Sequence, residues 1–156
     1  MKGKAEILDS LNFLLRDELT AINQYIVHAE MCGDWGYEPL HEVIEKRAIT
    51  EMKHAEHLIA RILFLEGTPI VNKLNPIHIA DDVKAMFEND RAAEQGAIAG
   101  YNHAVQLAAD LGDNGTKMLL DANLHDEEDH LDYIEGQLDQ IEQMGYESYL
   151  TTITKE

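Results

Sequence analysis

Apolar residues recur at steps of three and four through most of the chain, and strand-like alternation is absent. The pattern predicts a first helix over about 4–33, ended by "GDWGYEP", and a second over about 38–66, ended by "EGTP". Gly67 is the expected cap there, and Pro69 prevents continuation. Residues 67–80, "GTPIVNKLNPIHIA", read as a long connection. A third helix is predicted over about 81–111, opening on "DDVK", whose acids suit a helix N-terminus. After the turn "LGDNG" a fourth helix runs over about 115–144 and stops at Gly145; "YESYLTTI" then reads as a short C-terminal helix. Connections that are short, long and short predict an all-α fold: a four-helix bundle with one long crossover, helix three parallel to helix two. One domain is expected to occupy residues 1–156.

The core-facing stripes carry the first anomaly. Helix one gives Ile7, Leu11, Leu14, Glu18, Ala21 and Tyr25, and helix two gives Ile44, Ala48, Glu51, Ala55, Leu58, Ile62 and Leu65. Helix three gives Val83, Phe87, Asp90, Glu94, Ala97, Tyr101 and Ala104, and helix four gives Leu120, Leu124, Glu127, Leu131, Ile134, Leu138 and Ile141. Each stripe has a Glu near its middle, where an apolar residue belongs, and Asp90 is a further intruder. At about 1.5 Å per residue, Glu18 and Glu51 lie level across the first turn, and Glu94 and Glu127 fall near the same height. Four carboxylates in one buried layer repel one another and cannot all stay ionised without cations.

Two of these Glu sit in the spacing Glu-x-x-His, Glu51 with His54 and Glu127 with His130. Composition alone predicts about one such spacing and three occur, so the spacing is weak and its place on an apolar stripe is the stronger signal. The third, Glu38 with His41, is split by Pro39 at a helix start and is assigned no metal. Two divalent metals would neutralise the four carboxylates, with His54 and His130 as neutral nitrogen donors. Carboxylate and imidazole without thiolate suits iron or manganese, and zinc also fits. His28, His57, His78, His103 and His125 are expected at the surface, with Glu128 and Asp129 on a solvated acidic face.

Charge narrows the partners. Thirty acids against 12 Lys and Arg give a formal net charge of −18, which disfavours nucleic acid and anionic membrane and attracts cations. The single cysteine, Cys32, rules out an intrachain disulfide, which fits a reducing cytoplasm. The N-terminal "MKGKAEILDSLNFLLRDEL" has no long uncharged apolar core, so no signal peptide is expected, and no apolar run is long enough to span a membrane.

The stretches "LLRDELTAINQYIVHAEM", "EMKHAEHLIARILFLEGTP", "DEEDHLDYIE" and "MGYESYL" resemble bacterioferritin, a family of ferritin-like di-iron bundles, and the resemblance covers essentially the whole chain. It implies that Glu18 and His54 hold one iron, Glu94 and His130 the other, and that Glu51 and Glu127 bridge the two Fe ions of each subunit. It further implies a shell of 24 subunits built from two-fold dimers. Such a shell oxidises Fe(II) with dioxygen or peroxide and stores ferric mineral. Haem b lies between two subunits and assists electron delivery, with a ferredoxin-type protein as the implied donor.

Met52 lies about 100° round the helix from Glu51, away from the metal layer. Ile49, Met52, Ile59 and Leu63 make a second apolar stripe there, and Leu15, Leu19, Ile22 and Ile26 do the same on helix one. Two outer apolar faces argue for a partner subunit. The residues alone read Met52 as interface packing; the resemblance reads it as the haem ligand. Tyr25 reads either as a core tyrosine or as a hydrogen-bond or electron donor beside the metals, and Asp90 as the partner of a ligating His. Lys46 and Thr50 stand where some family members carry His and Asp, so the resemblance does not extend to an inner-surface iron site. The competing readings are a haem-free ferritin, a haem-carrying binding protein, and a di-iron peroxidase of the rubrerythrin type, whose Cys-rich domain one cysteine cannot supply.

Overall fold

Long helices form where the stripes predict them. In the computed structural model, which describes residues 1–154, α1 spans Ala5–Asp34, α2 Glu38–Phe64, α3 Val83–Asp110, α4 Asn114–Met144 and α5 Tyr146–Thr152. Among these residues no strand occurs and no helix is long and apolar enough to cross a membrane. α3 begins two residues later than the acids suggest because Asp82 is its N-cap, accepting from the Ala85 N–H at 2.8 Å. Gly36 and Gly112 end α1 and α3 in the left-handed region, at φ +84° and +73°. At the end of α2 the left-handed residue is Glu66, at φ +64°, and not Gly67. Gly67 makes room instead: a Cβ there would stand 2.5 Å from Leu8 Cδ2, so the half-buried Leu8 side chain would have to move.

The helices pair α1 with α2 and α3 with α4, and the pairs meet through α1 against α3 and α2 against α4. α3 starts at the end of the bundle where α2 starts, with Leu40, Ile44, Val83 and Phe87 in one apolar cluster. α5 closes that end: Tyr149 packs edge-on against Phe87 and donates to Gln137 Oε1 at 2.6 Å. A second cluster, with Ile7, Leu11, Leu58, Ile62 and Leu120, fills the other end. Each fully buried Leu or Ile contributes about 1.5–3 kcal/mol. The polar layer lies between the two clusters.

Residues 65–82 carry the chain back along α1, which holds them by a polar ladder. Asn12 donates to the Thr68 carbonyl and accepts from the Ile70 N–H. Thr20 accepts from the Asn75 N–H, Gln24 from His78 and His28 from Ala80. His28 is therefore fully buried, contrary to the surface position expected for it. Its Nε2 accepts a backbone N–H, so its Nδ1 carries the proton that it donates to Asp90 Oδ1 at 2.9 Å. His57, His78, His103 and His125 are exposed as expected.

Candidate metal centre

Steps of three and four turn the Glu of each stripe inward, and the bundle brings them to one height. Glu18, Glu51, His54, Glu94 and Glu127 are each about 1% exposed, and His130 is partly buried. Two groups in this layer could hold a cation, Glu18–Glu51–His54–Glu127 and Glu51–Glu94–Glu127–His130, with ligand atoms within 4.8 Å of one another; a third group of that spacing, Glu30–His41–Glu45, lies at the surface. Glu51 and Glu127 belong to both. His54 Nδ1 lies 2.9 Å from Glu127 Oε1 and 3.5 Å from Glu18 Oε1, and His130 Nδ1 lies 3.1 Å from Glu51 Oε1 and 3.3 Å from Glu94 Oε1.

These approaches are close but are not aligned as hydrogen bonds. Each of the six residues keeps one buried atom without a hydrogen-bond partner: Glu18 Oε2, Glu51 Oε1, His54 Nδ1, Glu94 Oε2, Glu127 Oε1 and His130 Nδ1. Orphaned buried polar atoms cost about 1–3 kcal/mol each, so six in one layer need a common partner. Six oxygen and nitrogen lone pairs, with no thiolate, fit two divalent cations of the iron type.

The groups behind the layer aim it. Tyr25 donates to Glu94 Oε1 and Tyr101 to Glu18 Oε1, both at 2.7 Å, which leaves Oε2 of each Glu free. His54 Nε2–H donates to Asp126 Oδ2 at 2.8 Å, which leaves Nδ1 facing the layer, its lone pair available to a cation that displaces the Nδ1 proton. Burial pushes both tyrosine hydroxyls well above their ordinary range, with carboxylates beside them adding to it, so they stay protonated donors. Burial and the charges of Glu18, Glu127 and Glu94 push Glu51 well up. Burial likewise raises Glu94 to about 8, with His130 pulling the other way. Burial opposes a charge on His54, but the neighbouring Glu127 and Glu18 outweigh it and hold it up to about 11. A cavity of about 370 Å³ between α1, α3 and the crossover reaches Glu18, Glu51 and Glu127 and is lined nearer the crossover by Asp17, Asn75 and His78. Burial lifts Asp17 to about 6, although Asn75 donates to it.

Residues 8–144 match the family model described as a ferritin-like domain. A bacterioferritin of Brucella melitensis biotype 1 is 40% identical over 149 residues, 96% of this chain and 92% of the relative. One of Rhodobacter capsulatus is 39% identical over the same shares, and one of Streptomyces coelicolor 37% identical over 100% of this chain and 93% of the relative. The chain belongs to the bacterioferritin family. In this bacterioferritin-family chain Asp90 does not serve a site histidine. It accepts from Gln24, His28 and Arg47 at 2.9–3.0 Å, and Arg47 in turn lies over the Tyr25 ring at 5.0 Å. The partner of a site histidine is Asp126, which sequence reasoning missed, as it missed the hydroxyl role of Tyr101. Asp126 adjoins Glu127 in "HDEED", where nothing in the spacing separates it from its solvated neighbours.

Met52 is 46% exposed, beside Ile49 and Leu63 on α2 and with Ile26 on α1 also exposed. Leu15 is fully buried and does not belong to that face, while Leu19, Ile22 and Ile59 are half-buried. Lys46 is exposed and Thr50 donates to its carbonyl. Glu38 forms no pair with His41, which donates to the Ala29 carbonyl and approaches Glu45 at 3.5 Å at the surface.

Proposed function

We propose that the chain is an iron-storage ferroxidase in which Glu18 and His54 hold one Fe(II), Glu94 and His130 the other, and Glu51 and Glu127 bridge them. The six orphaned buried atoms carry this reading, because they form two four-donor groups that share two carboxylates. Anionic donors stabilise Fe(III) over Fe(II) and so lower the barrier to oxidation. Two Fe(II) give one electron each. Dioxygen takes both with two protons and leaves as hydrogen peroxide, or peroxide takes both with two protons and leaves as water. Tyr25 and Tyr101 hold Glu94 and Glu18 by one oxygen each, so the other oxygen is turned to the metal. Asp126 fixes the His54 tautomer. The cavity beside Asp17 supports a path for Fe(II) from the crossover side. Ferric product is then stored in a shell of 24 copies. Family membership and the exposed apolar face around Met52 support haem b between two copies, with Met52 as its ligand.

Replacing Glu51 by Ala removes one bridge and leaves three carboxylates. The bundle persists, since deleting one of several repelling buried acids relieves the metal-free protein. Fast Fe(II) oxidation, followed by stopped-flow absorbance after adding about two Fe(II) per subunit, falls at least about 100-fold, because groups that only orient ligands already cost 10–100-fold. Glu56→Ala, at an exposed position, leaves the rate unchanged. Fast oxidation surviving in Glu51→Ala would sink the di-iron reading.

A further inference from the structure

The two halves of the centre match in their first contacts. Tyr101 on α3 donates to Glu18 on α1, and Tyr25 on α1 donates to Glu94 on α3, each at 2.7 Å. Behind the tyrosines the halves part. Tyr101 is backed by Asn123 on α4, 1% exposed, whose Nδ2 lies 3.2 Å from the Tyr101 hydroxyl. Asn123 Oδ1 lies 3.3 Å from Nδ1 of the exposed His57 on α2. No amide backs Tyr25 among the described residues; Arg47 lies over its ring instead.

Proton counting fixes the direction of this chain. Tyr101 has one proton, and the 2.7 Å contact gives it to Glu18. The Tyr101 oxygen must then accept, so the Asn123 amide nitrogen faces it and the Asn123 oxygen faces His57, which must donate from Nδ1. Three donors therefore point the same way, from the surface towards Glu18, and each strengthens the next. The same half has His54 locked by Asp126 at 2.8 Å. In the other half the His130 side chain is 15% exposed, and no described side chain engages its Nε2.

We propose that Asn123, held by His57, is a positioning residue that makes the Glu18–His54 half the tighter of the two cation positions. The proposal rests on the metal-binding reading above. It assigns retention to one half and exchange to the other: the cation beside Glu94 and His130 leaves first.

Co(II), whose visible bands report its ligands, separates the two claims. Binding of two Co(II) per subunit by the unsubstituted protein tests the metal reading alone. Glu94→Ala then leaves only the Glu18–His54 half complete, and Glu18→Ala only the Glu94–His130 half. Added to Glu94→Ala, Asn123→Leu weakens Co(II) binding about 10-fold, the lower range for loss of a group that orients a ligand. Added to Glu18→Ala, it changes the affinity less than about twofold, because the Asn123 side chain hydrogen-bonds to none of Glu51, Glu94, Glu127 and His130. A purely structural role would weaken both halves alike, and that result overturns the proposal, as does no change in either. Should Asn123→Leu fail to assemble, His57→Ala, at an exposed position, carries the test under the same criterion: weakening confined to the Glu18 half supports it and any other pattern overturns it.

Discussion

Proton occupancy of the metal-free centre is decided residue by residue. Glu51 and Glu94 are held protonated by burial and neighbouring acids, Glu94 up to about 8, and His54 is held charged up to about 11 by Glu127 and Glu18. All three shifts are upward, so at these groups the folded chain binds more protons than the unfolded chain. Stability then falls as pH rises. The Glu94 contribution is lost between its ordinary value of 4.5 and about 8, and the His54 contribution between 6.5 and about 11. Both weaken the fold between about pH 6.5 and 8. The metal-free protein is expected to lose at least about 3 °C of Tm over that window, since 1 kcal/mol moves Tm about 2–4 °C at this size. Saturating Co(II) flattens the slope, because the cation takes the place of the protons. Calorimetry of the metal-free protein that found a flat or rising Tm would count against this charge arrangement. The donors were legible in the sequence because an acid on an apolar stripe breaks the helical period. Of their partners only Tyr25 was, as one of its two readings, and it donates to Glu94. Tyr101 reads as core, Asp126 as one more acid and Asn123 as nothing, because a hydrogen bond between helices depends on rotation and spacing that no single helix encodes.

At the scale of elements the crossover is the informative segment. Helix boundaries were readable to within two residues from period, Gly and Pro, apart from the exchange of roles between Glu66 and Gly67. The route of residues 65–82 was not, because its backbone groups are satisfied by side chains far away in sequence. Asn12, Thr20, Gln24 and His28 form a row on α1 at multiples of four residues, which reads as a polar stripe until the crossover is laid on it. Gln24 has a double task, accepting from the His78 N–H and donating to Asp90, a fully buried carboxylate. Gln24→Leu strands one donor and removes one of the three bonds to Asp90, which costs about 1–3 kcal/mol. Because the loss falls on the crossover, it opens locally before the bundle unfolds. Limited proteolysis is expected to cut Gln24→Leu within 67–80 first, while Asn23→Ala, which removes only an exposed bond within α1, behaves like the parent. Cutting elsewhere first would show that the ladder does not hold the segment.

Taken whole, the molecule combines a formal charge of −18 with apolar residues left in water. Ile26, Ile49, Met52 and Leu63 are exposed on α1 and α2, and Val71, Leu74 and Ile79 on the crossover. Like-charged copies repel, so apolar burial must overcome that repulsion, and two separate apolar surfaces allow each copy more than one neighbour. The protein is therefore expected to run as a large oligomer in size-exclusion with light scattering, and not at 17.6 kDa. Met52 separates the two uses of its face. At 46% exposure it is available either to pack against a copy or to offer its sulfur to a haem shared across a two-fold axis. Met52→Leu keeps volume and apolar character, a swap that costs under about 1.5 kcal/mol, so the oligomer persists on either reading. A thioether ligand has no equivalent in leucine. The haem absorbance of the purified protein is therefore expected to vanish in Met52→Leu at unchanged mass by light scattering. Fe(II) oxidation at the buried centre continues, since Met52 lies about 100° round α2 from Glu51 and is exposed, outside the metal layer. Full haem absorbance in the variant would reduce Met52 to interface packing and leave the ferroxidase reading intact.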